Sequence, residues 1–403
     1  MKTLIFTLTS PIHDKSSIEQ ATGTFLAKLR EAGMEHEYVG EDFSRYGEGD
    51  LNLIFIRTGG TEGLFLKKTQ EVAMLTHAPV YLLASGESNS LAASVEILSW
   101  LRSKGMKGSI LHGSIEYIAQ QAHDLAYVER ARKTLRGMRA GVIGKPSDWL
   151  IASQADNEAV RAKTGIELVN IDIAELIDEI NAIRNSGNYN GEPSVSNLHT
   201  CDSKYFGGAI NIYTALKHLI TKHRLNALTL RCFDLLDSVK NTGCLALAML
   251  NSEGIPASCE GDVPALLTMM VNNALTGQTG FQANPSRINP QTGEILFAHC
   301  TVPFNMIQRY VYDTHFESGI GVAIHGELPE GAATIVKLSG DMQQWFAEDV
   351  TLVKNTYEKQ LCRTQIILRT EKAADYLLHR PLGNHQIILT GHHKHMIELF
   401  MQK

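Results

Sequence analysis

Glu260 and Asp262 are the two residues of this chain whose types and spacing are best suited to chemistry. They flank a glycine in Ser258-Cys259-Glu260-Gly261-Asp262-Val263-Pro264. The run before them, residues 242–250, is almost wholly apolar and reads as a buried strand. The run after them, residues 265–271, carries a strongly apolar helical face. Acids at a strand-to-helix junction sit beyond the carboxyl ends of the strands, where α/β sheets place their ligand crevice. Carboxylates there bind a metal or move a proton. Asp262 also has a plain structural reading as a helix cap, with Pro264 in the first turn. Glu260 precedes that cap and should point into the crevice.

Two histidines could join them. His299 ends the apolar run Ile295-Leu296-Phe297-Ala298-His299-Cys300, where a lone histidine is more often a hydrogen-bonded core residue than a ligand. His385 follows Gly383-Asn384 and precedes a β-branched strand, so a rigid scaffold would aim it. Arg57 ends another strand, as an anion or hydroxyl contact or as half of a surface salt bridge. Gly59-Gly60-Thr61 and Gly141-Val142-Ile143-Gly144 are glycine-bearing turns near strand ends. Neither is a P-loop or a GxGxxG fingerprint, so no nucleotide cofactor is expected.

These side chains need elements to hold them. The first third alternates strands at residues 4–8, 51–56 and 79–84 with helices at 17–32, 63–75 and 90–104. A boundary falls near residues 137–141, and the same rhythm resumes with strands at 166–171 and 227–232 and helices at 173–184 and 210–222. Such a βαβα order predicts parallel sheets with helices on both faces. Residues 185–200, rich in Asn, Gly and Ser, read as a surface loop. After residue 284 short β-branched runs replace the helical patterns, as in an antiparallel, barrel-like β domain. The expected fold is therefore two doubly wound α/β domains, residues 1–138 and 139–284, followed by a C-terminal β domain, residues 285–403. Glu260 falls in the second domain, and His299 and His385 in the third.

Bulk properties narrow the function classes. The 403 residues are 44% hydrophobic and 20% charged, as in an ordinary globular protein. The formal net charge of −6 offers no electrostatic footprint for nucleic acid or an anionic membrane. The six cysteines form no CxxC pair, which suggests reduced thiols. No run reaches the roughly 20 apolar residues of a membrane span, and the N-terminus carries no secretory signal pattern. A cytoplasmic location follows as the expectation.

Taken together, the segments resemble the L-fucose isomerase/L-arabinose isomerase superfamily over nearly the whole chain. The likeness is carried by Gly144-Lys145-Pro146-Ser147-Asp148-Trp149-Leu150-Ile151, by residues 251–262 ending in Cys259-Glu260-Gly261-Asp262, by Ala298-His299-Cys300, and by Gly383-Asn384-His385. Asn89-Ser90-Leu91 adds to it in the first domain. The resemblance implies an aldose–ketose isomerase working through an enediol with a divalent metal, usually Mn²⁺. It places Glu260 and His385 on metal ligands, Asn384 on a sugar contact, and His299 on the extra histidine near the metal. It also implies a homo-oligomer, trimer or hexamer, with Arg57 and Asn89 as candidates to reach the sugar in a neighbour's site. One position departs from the pattern. The family's second acidic ligand appears here as Asn284, whose amide can donate an oxygen to a hard cation but cannot accept a proton. Asp262, Asp234 or Glu260 itself would then have to serve as the base. The missing acid also leaves open a non-catalytic sugar-binding or regulatory homologue.

Overall fold

The computed structural model describes residues 1–72, 79–186 and 201–402. The chain divides into two compact units, one of residues 1–133 with 399–403 and one of residues 134–398. The central sheet and the β domain, expected as two domains, fall within the second unit. The strand Phe281–Asn289 runs across residue 284, where the boundary between those two domains was expected. The segment expected to be a loop at 185–200 lies almost wholly outside the described residues.

The first unit is a five-stranded parallel sheet. Its strands are β1 (Thr3–Leu8), β2 (Glu37–Gly40), β3 (Leu51–Ile56), β4 (Val80–Leu83) and β5 (Gly108–Leu111), in the order β2-β1-β3-β4-β5. The strands are apolar on both sides, and alternate residues feed two cores. Ile5, Leu53, Phe55, Tyr81 and Leu83 pack on one face, and Leu4, Phe6, Ile54, Val80 and Leu82 on the other. That division requires helices on both faces, as the continuous apolar strands predict.

The second unit holds a four-stranded parallel sheet of β6 (Arg139–Ile143), β7 (Glu167–Ile171), β8 (Ala227–Leu230) and β9 (Ala257–Cys259), ordered β7-β6-β8-β9. One expectation is corrected here. The apolar run at 242–250 is not a strand but lies largely in the helix Cys244–Ser252. Its Leu, Ala and Met residues are strong helix formers and none is β-branched. It is buried almost all round, so it lacks the amphipathic period that marks a surface helix. The strand before Glu260 is instead the three-residue β9.

A closed antiparallel barrel follows. It is built from β10 (Phe281–Asn289), β11 (Glu294–His299), β14 (Gly331–Leu338), β15 (Trp345–Thr356), β16 (Thr364–Arg369) and β17 (Gln386–Thr390), around the ring β10-β11-β16-β15-β14-β17. A two-stranded ribbon, β12 (Arg309–Asp313) and β13 (Ala323–Glu327), stands beside it. Phe281, Phe297, Ile335, Ile366 and Ile388 belong to its buried core. Closure leaves no free edge, so the ends of adjacent strands form a rigid rim. Among the described residues no helix is long and apolar enough to cross a membrane.

Candidate metal centre

The rim of the barrel and the end of the central sheet bring the predicted histidines to Glu260. In register, Ala283 pairs with Gln386 and Asn284 with Ala298. His385 immediately precedes β17, Asn284 lies in β10, and His299 ends β11. Three neighbouring strands thus present these three side chains together. Glu260 meets them from the end of β9. Its Oε1 lies 3.5 Å from His385 Nε2 and 3.9 Å from His299 Nε2. One ligand atom from each of Glu260, His299 and His385 can be chosen so that all three lie within 4.8 Å of one another.

Local backbone geometry aims Glu260. The residue adopts φ +64°, a left-handed conformation that costs a non-glycine residue about 1–3 kcal/mol and collects at functional sites. Gly261 follows at φ +71°, and a Cβ there would stand 2.4 Å from the Lys145 carbonyl oxygen. Only glycine lets the loop 144–149 close over this turn. That loop donates Ser147 N–H to the Glu260 carbonyl at 2.9 Å and Trp149 Nε1–H to Glu260 Oε2 at 2.7 Å. Two segments that carried the family resemblance therefore meet at one carboxylate.

Asp262 combines both of its sequence readings. Its Oδ1 accepts Ala265 N–H at 2.8 Å and caps the helix Val263–Thr276. Its Oδ2 accepts His385 Nδ1–H at 2.8 Å. Ser153 Oγ and Lys337 Nζ also face Oδ2, at 3.4 and 3.7 Å. Asp262 is fully buried behind His385 and is not among the residues that line the adjoining cleft. His299 is oriented in the same manner, with Nδ1 3.0 Å from Thr301 Oγ1. Each imidazole is thus held at Nδ1 while Nε2 faces Glu260. This is the arrangement in which a carboxylate or hydroxyl fixes the tautomer of a ligating histidine.

Electrostatics follow from burial and these contacts. Burial works against the ionised form of Glu260, but the His385 ring 3.5 Å away, then His299 and Trp149, bring its pKa down to about 2. Burial also disfavours a charged His385, yet Asp262 and Glu260 outweigh it and raise that ring to about 9. His299 is dominated by burial and repulsion from His385 and falls to about 3, so it is neutral. Burial pushes Lys337 down against the pull of Asp262. The residues suit a divalent cation on one direct observation. His385 Nε2 is buried, with no hydrogen-bond partner, and lies beside an ionised carboxylate and the Nε2 of a neutral imidazole. A donor set of one carboxylate and two imidazoles matches first-row divalent metals.

A narrow cleft of about 60 Å³ opens on this group. Glu260, Asn284, His299, His315 and Glu317 supply its polar wall. Asn384 Nδ2 donates to Asn284 Oδ1 at 3.1 Å, which ties the expected sugar contact to the position of the missing acid. Asp234 starts a short helix and pairs with Arg231 at 3.0 Å, and it does not line the cleft. In the first unit Arg57 is buried, its guanidinium taken up by Glu19, by Glu41 at 3.2 Å and by Thr9 at 2.6 Å. Asn89 is exposed, in a left-handed turn before the helix Ser90–Ser103. Sequence reasoning assigned no role to Trp149, His315, Glu317 or Lys337. A lysine inside Thr334-Ile335-Val336-Lys337-Leu338 was the one legible signal, since a charge in a buried strand needs a partner.

No family model matches the chain. It is 24% identical over 263 residues to proteins named sulfoquinovose isomerase from Priestia aryabhattai and Priestia megaterium, a stretch covering 62% of this chain and 59% of each relative. A protein of the same name from Alkalicoccus urumqiensis is 23% identical over 220 residues, covering 53% of this chain and 49% of that one. The chain thus spans about three-fifths or less of the length of the curated relatives it matches. The likeness is to sugar isomerases, at low identity.

Proposed function

We propose that this chain is a metal-dependent isomerase that interconverts a small aldose and its ketose by moving a proton between C1 and C2. The observation that carries the reading is the convergence of Glu260, His299 and His385 on one point, with Asp262 holding His385 from behind. The names of the matched relatives support the reaction class. Glu260, His299 and His385 would hold the cation, with the Asn284 amide oxygen beside them. When bound, the cation polarises the sugar carbonyl and offsets negative charge developing on the sugar oxygens.

The chain's own residues supply the rest. Glu260 is ionised and His299 neutral at any pH near 7, so neither needs to lose a proton to bind. The Asn284–Asn384 pair offers amide donors and acceptors to sugar hydroxyls. Because Asn284 cannot take a proton, the shuttle between C1 and C2 falls to a carboxylate. Among the described residues lining the cleft, Glu317 is the carboxylate left once Glu260 is committed to the cation. We assign Glu317 as the proton acceptor, and a homo-oligomer as the active assembly.

The test is NMR in D₂O with added Mn²⁺ and a panel of aldoses that includes sulfoquinovose. Ketose formation with deuterium at the carbon next to the carbonyl is expected, and Glu260→Gln should abolish both. A protein that binds Mn²⁺ and is stabilised by a sugar, yet yields neither signal on any aldose, would overturn catalysis in favour of a binding role.

A further inference from the structure

Five of the six cysteines of this 403-residue chain line the cleft beside the candidate metal centre: Cys232, Cys244, Cys259, Cys300 and Cys362. They are scattered over 131 positions of sequence, so the fold alone collects them. Cys259 ends β9, Cys232 lies in the turn just beyond β8, the strand paired with β9, and their Sγ atoms are 3.0 Å apart. Cys244, Cys300 and Cys362 pack together as a separate cluster. All are free thiols.

We propose that Cys232 and Cys259 form a redox modification site, closed to a disulfide by a peroxide. The separation selects this chemistry over soft-metal binding. Two thiolates on one zinc, with bonds of about 2.3 Å at tetrahedral angles, stand about 3.8 Å apart, farther than this pair. A disulfide needs about 2.05 Å, so the sulfurs must approach by only about 1 Å. The balance is simple. One thiol is oxidised by hydrogen peroxide to a sulfenic acid and releases a water. The second thiol displaces the sulfenic oxygen, forming the S–S bond and a second water. Two electrons and two hydrogens pass from the pair to the peroxide.

The bond acts on the site through the chain. Cys259 is covalently joined to Glu260, and its N–H is held by Gln282 Oε1 at 2.8 Å. Drawing its side chain toward Cys232 shifts the left-handed turn that aims Glu260. A displacement of about 1 Å in a catalytic group costs as much as about 100-fold in rate. The effect on turnover rests on the isomerase reading. The effect on cation affinity rests only on the metal site of that reading, and the bond itself rests on neither.

The experiment treats the whole reduced protein with a small excess of hydrogen peroxide, blocks remaining thiols with N-ethylmaleimide, and maps disulfides by non-reducing peptide mass spectrometry. In parallel, Mn²⁺ affinity is read by calorimetry before and after dithiothreitol. A linked Cys232–Cys259 peptide is expected, with Mn²⁺ affinity lowered about tenfold or more and restored by reduction. Cys232→Ala should form no such link and keep its own untreated affinity after peroxide. A Cys300–Cys362 link in its place, no disulfide at all, or a Cys232–Cys259 bond that leaves Mn²⁺ affinity unchanged each overturns the proposal. None of these readouts depends on finding the sugar, so failure here is distinguishable from failure of the isomerase reading.

Discussion

Replacing Asp262 with asparagine should cripple cation binding without uncapping the helix it begins. Asparagine caps as well as aspartate, so the bond to Ala265 N–H survives. What is lost is a negative charge 2.8 Å from His385 Nδ1 and 3.7 Å from Lys337 Nζ. His385 is raised from its ordinary 6.5 to about 9 despite complete burial, which corresponds to about 3 kcal/mol in favour of the charged ring. Asp262 and Glu260 share that effect, so Asp262 accounts for about 1–2 kcal/mol. Removing a carboxylate behind a ligating histidine costs about 10–100-fold in metal affinity, or about 1.4–2.7 kcal/mol. The first figure describes the protonated ring, from which a cation must displace the Nε2 proton, so the expected loss of metal affinity rests on the second. Folding should suffer separately, because Lys337 is left buried without its anion, at a cost of about 3–5 kcal/mol. Calorimetric titration with Mn²⁺ and thermal unfolding measure the two losses. The double variant Asp262→Asn/Lys337→Met separates them: the melting temperature should recover while Mn²⁺ affinity stays low. An Asp262→Asn protein that binds Mn²⁺ within twofold of the parent refutes the positioning role. So does a double variant that regains affinity along with stability.

Glu317→Gln should lower kcat by about 10²–10⁴ and suppress deuterium exchange while leaving Mn²⁺ affinity within about twofold, because it removes a proton acceptor and no ligand. Trp149→Phe deletes the 2.7 Å hydrogen bond to Glu260 Oε2 and should weaken Mn²⁺ binding by about 1 kcal/mol, read by the same titration. For the metal-free protein the sign of the pH effect follows from His385. Its folded-state pKa is raised, so its contribution to stability is complete below about 6.5 and is lost as pH rises through about 9. Denaturant unfolding at pH 7 and pH 10 should show that decline. Because a cation needs the unprotonated Nε2, Mn²⁺ binding at pH 7 should release about one proton per ion, measured from the buffer dependence of the binding enthalpy. Binding with no proton release would place His385 outside the ligand set.

The parts of this site that sequence made legible are those whose local pattern and global role agree. β3, β11 and β17 begin and end where their apolar runs do, because a strand buried on one or both faces must turn where polar residues interrupt it. His299 and His385 gained their meaning from lying at the ends of such strands, and barrel closure then made neighbours of residues far apart in sequence. Cys244–Ser252 was misread for a related reason. A fully buried helix and a fully buried strand both present continuous apolar sequence, and the choice rests on β-branching, which that run lacks. Lys337 and the cleft thiols were harder still. A lysine in a buried strand signals that it needs a partner but does not name one, and a cysteine in an apolar run packs acceptably alone. Their significance is pairwise. It appears only when β14 brings Lys337 to Asp262, and when the turn after β8 brings Cys232 to Cys259 at the end of β9. Asp262 shows the limit most sharply. Its spacing argued for a cap and its neighbourhood argued for chemistry, and sequence offered these as alternatives. One carboxylate has two oxygens, and the fold uses one for each purpose.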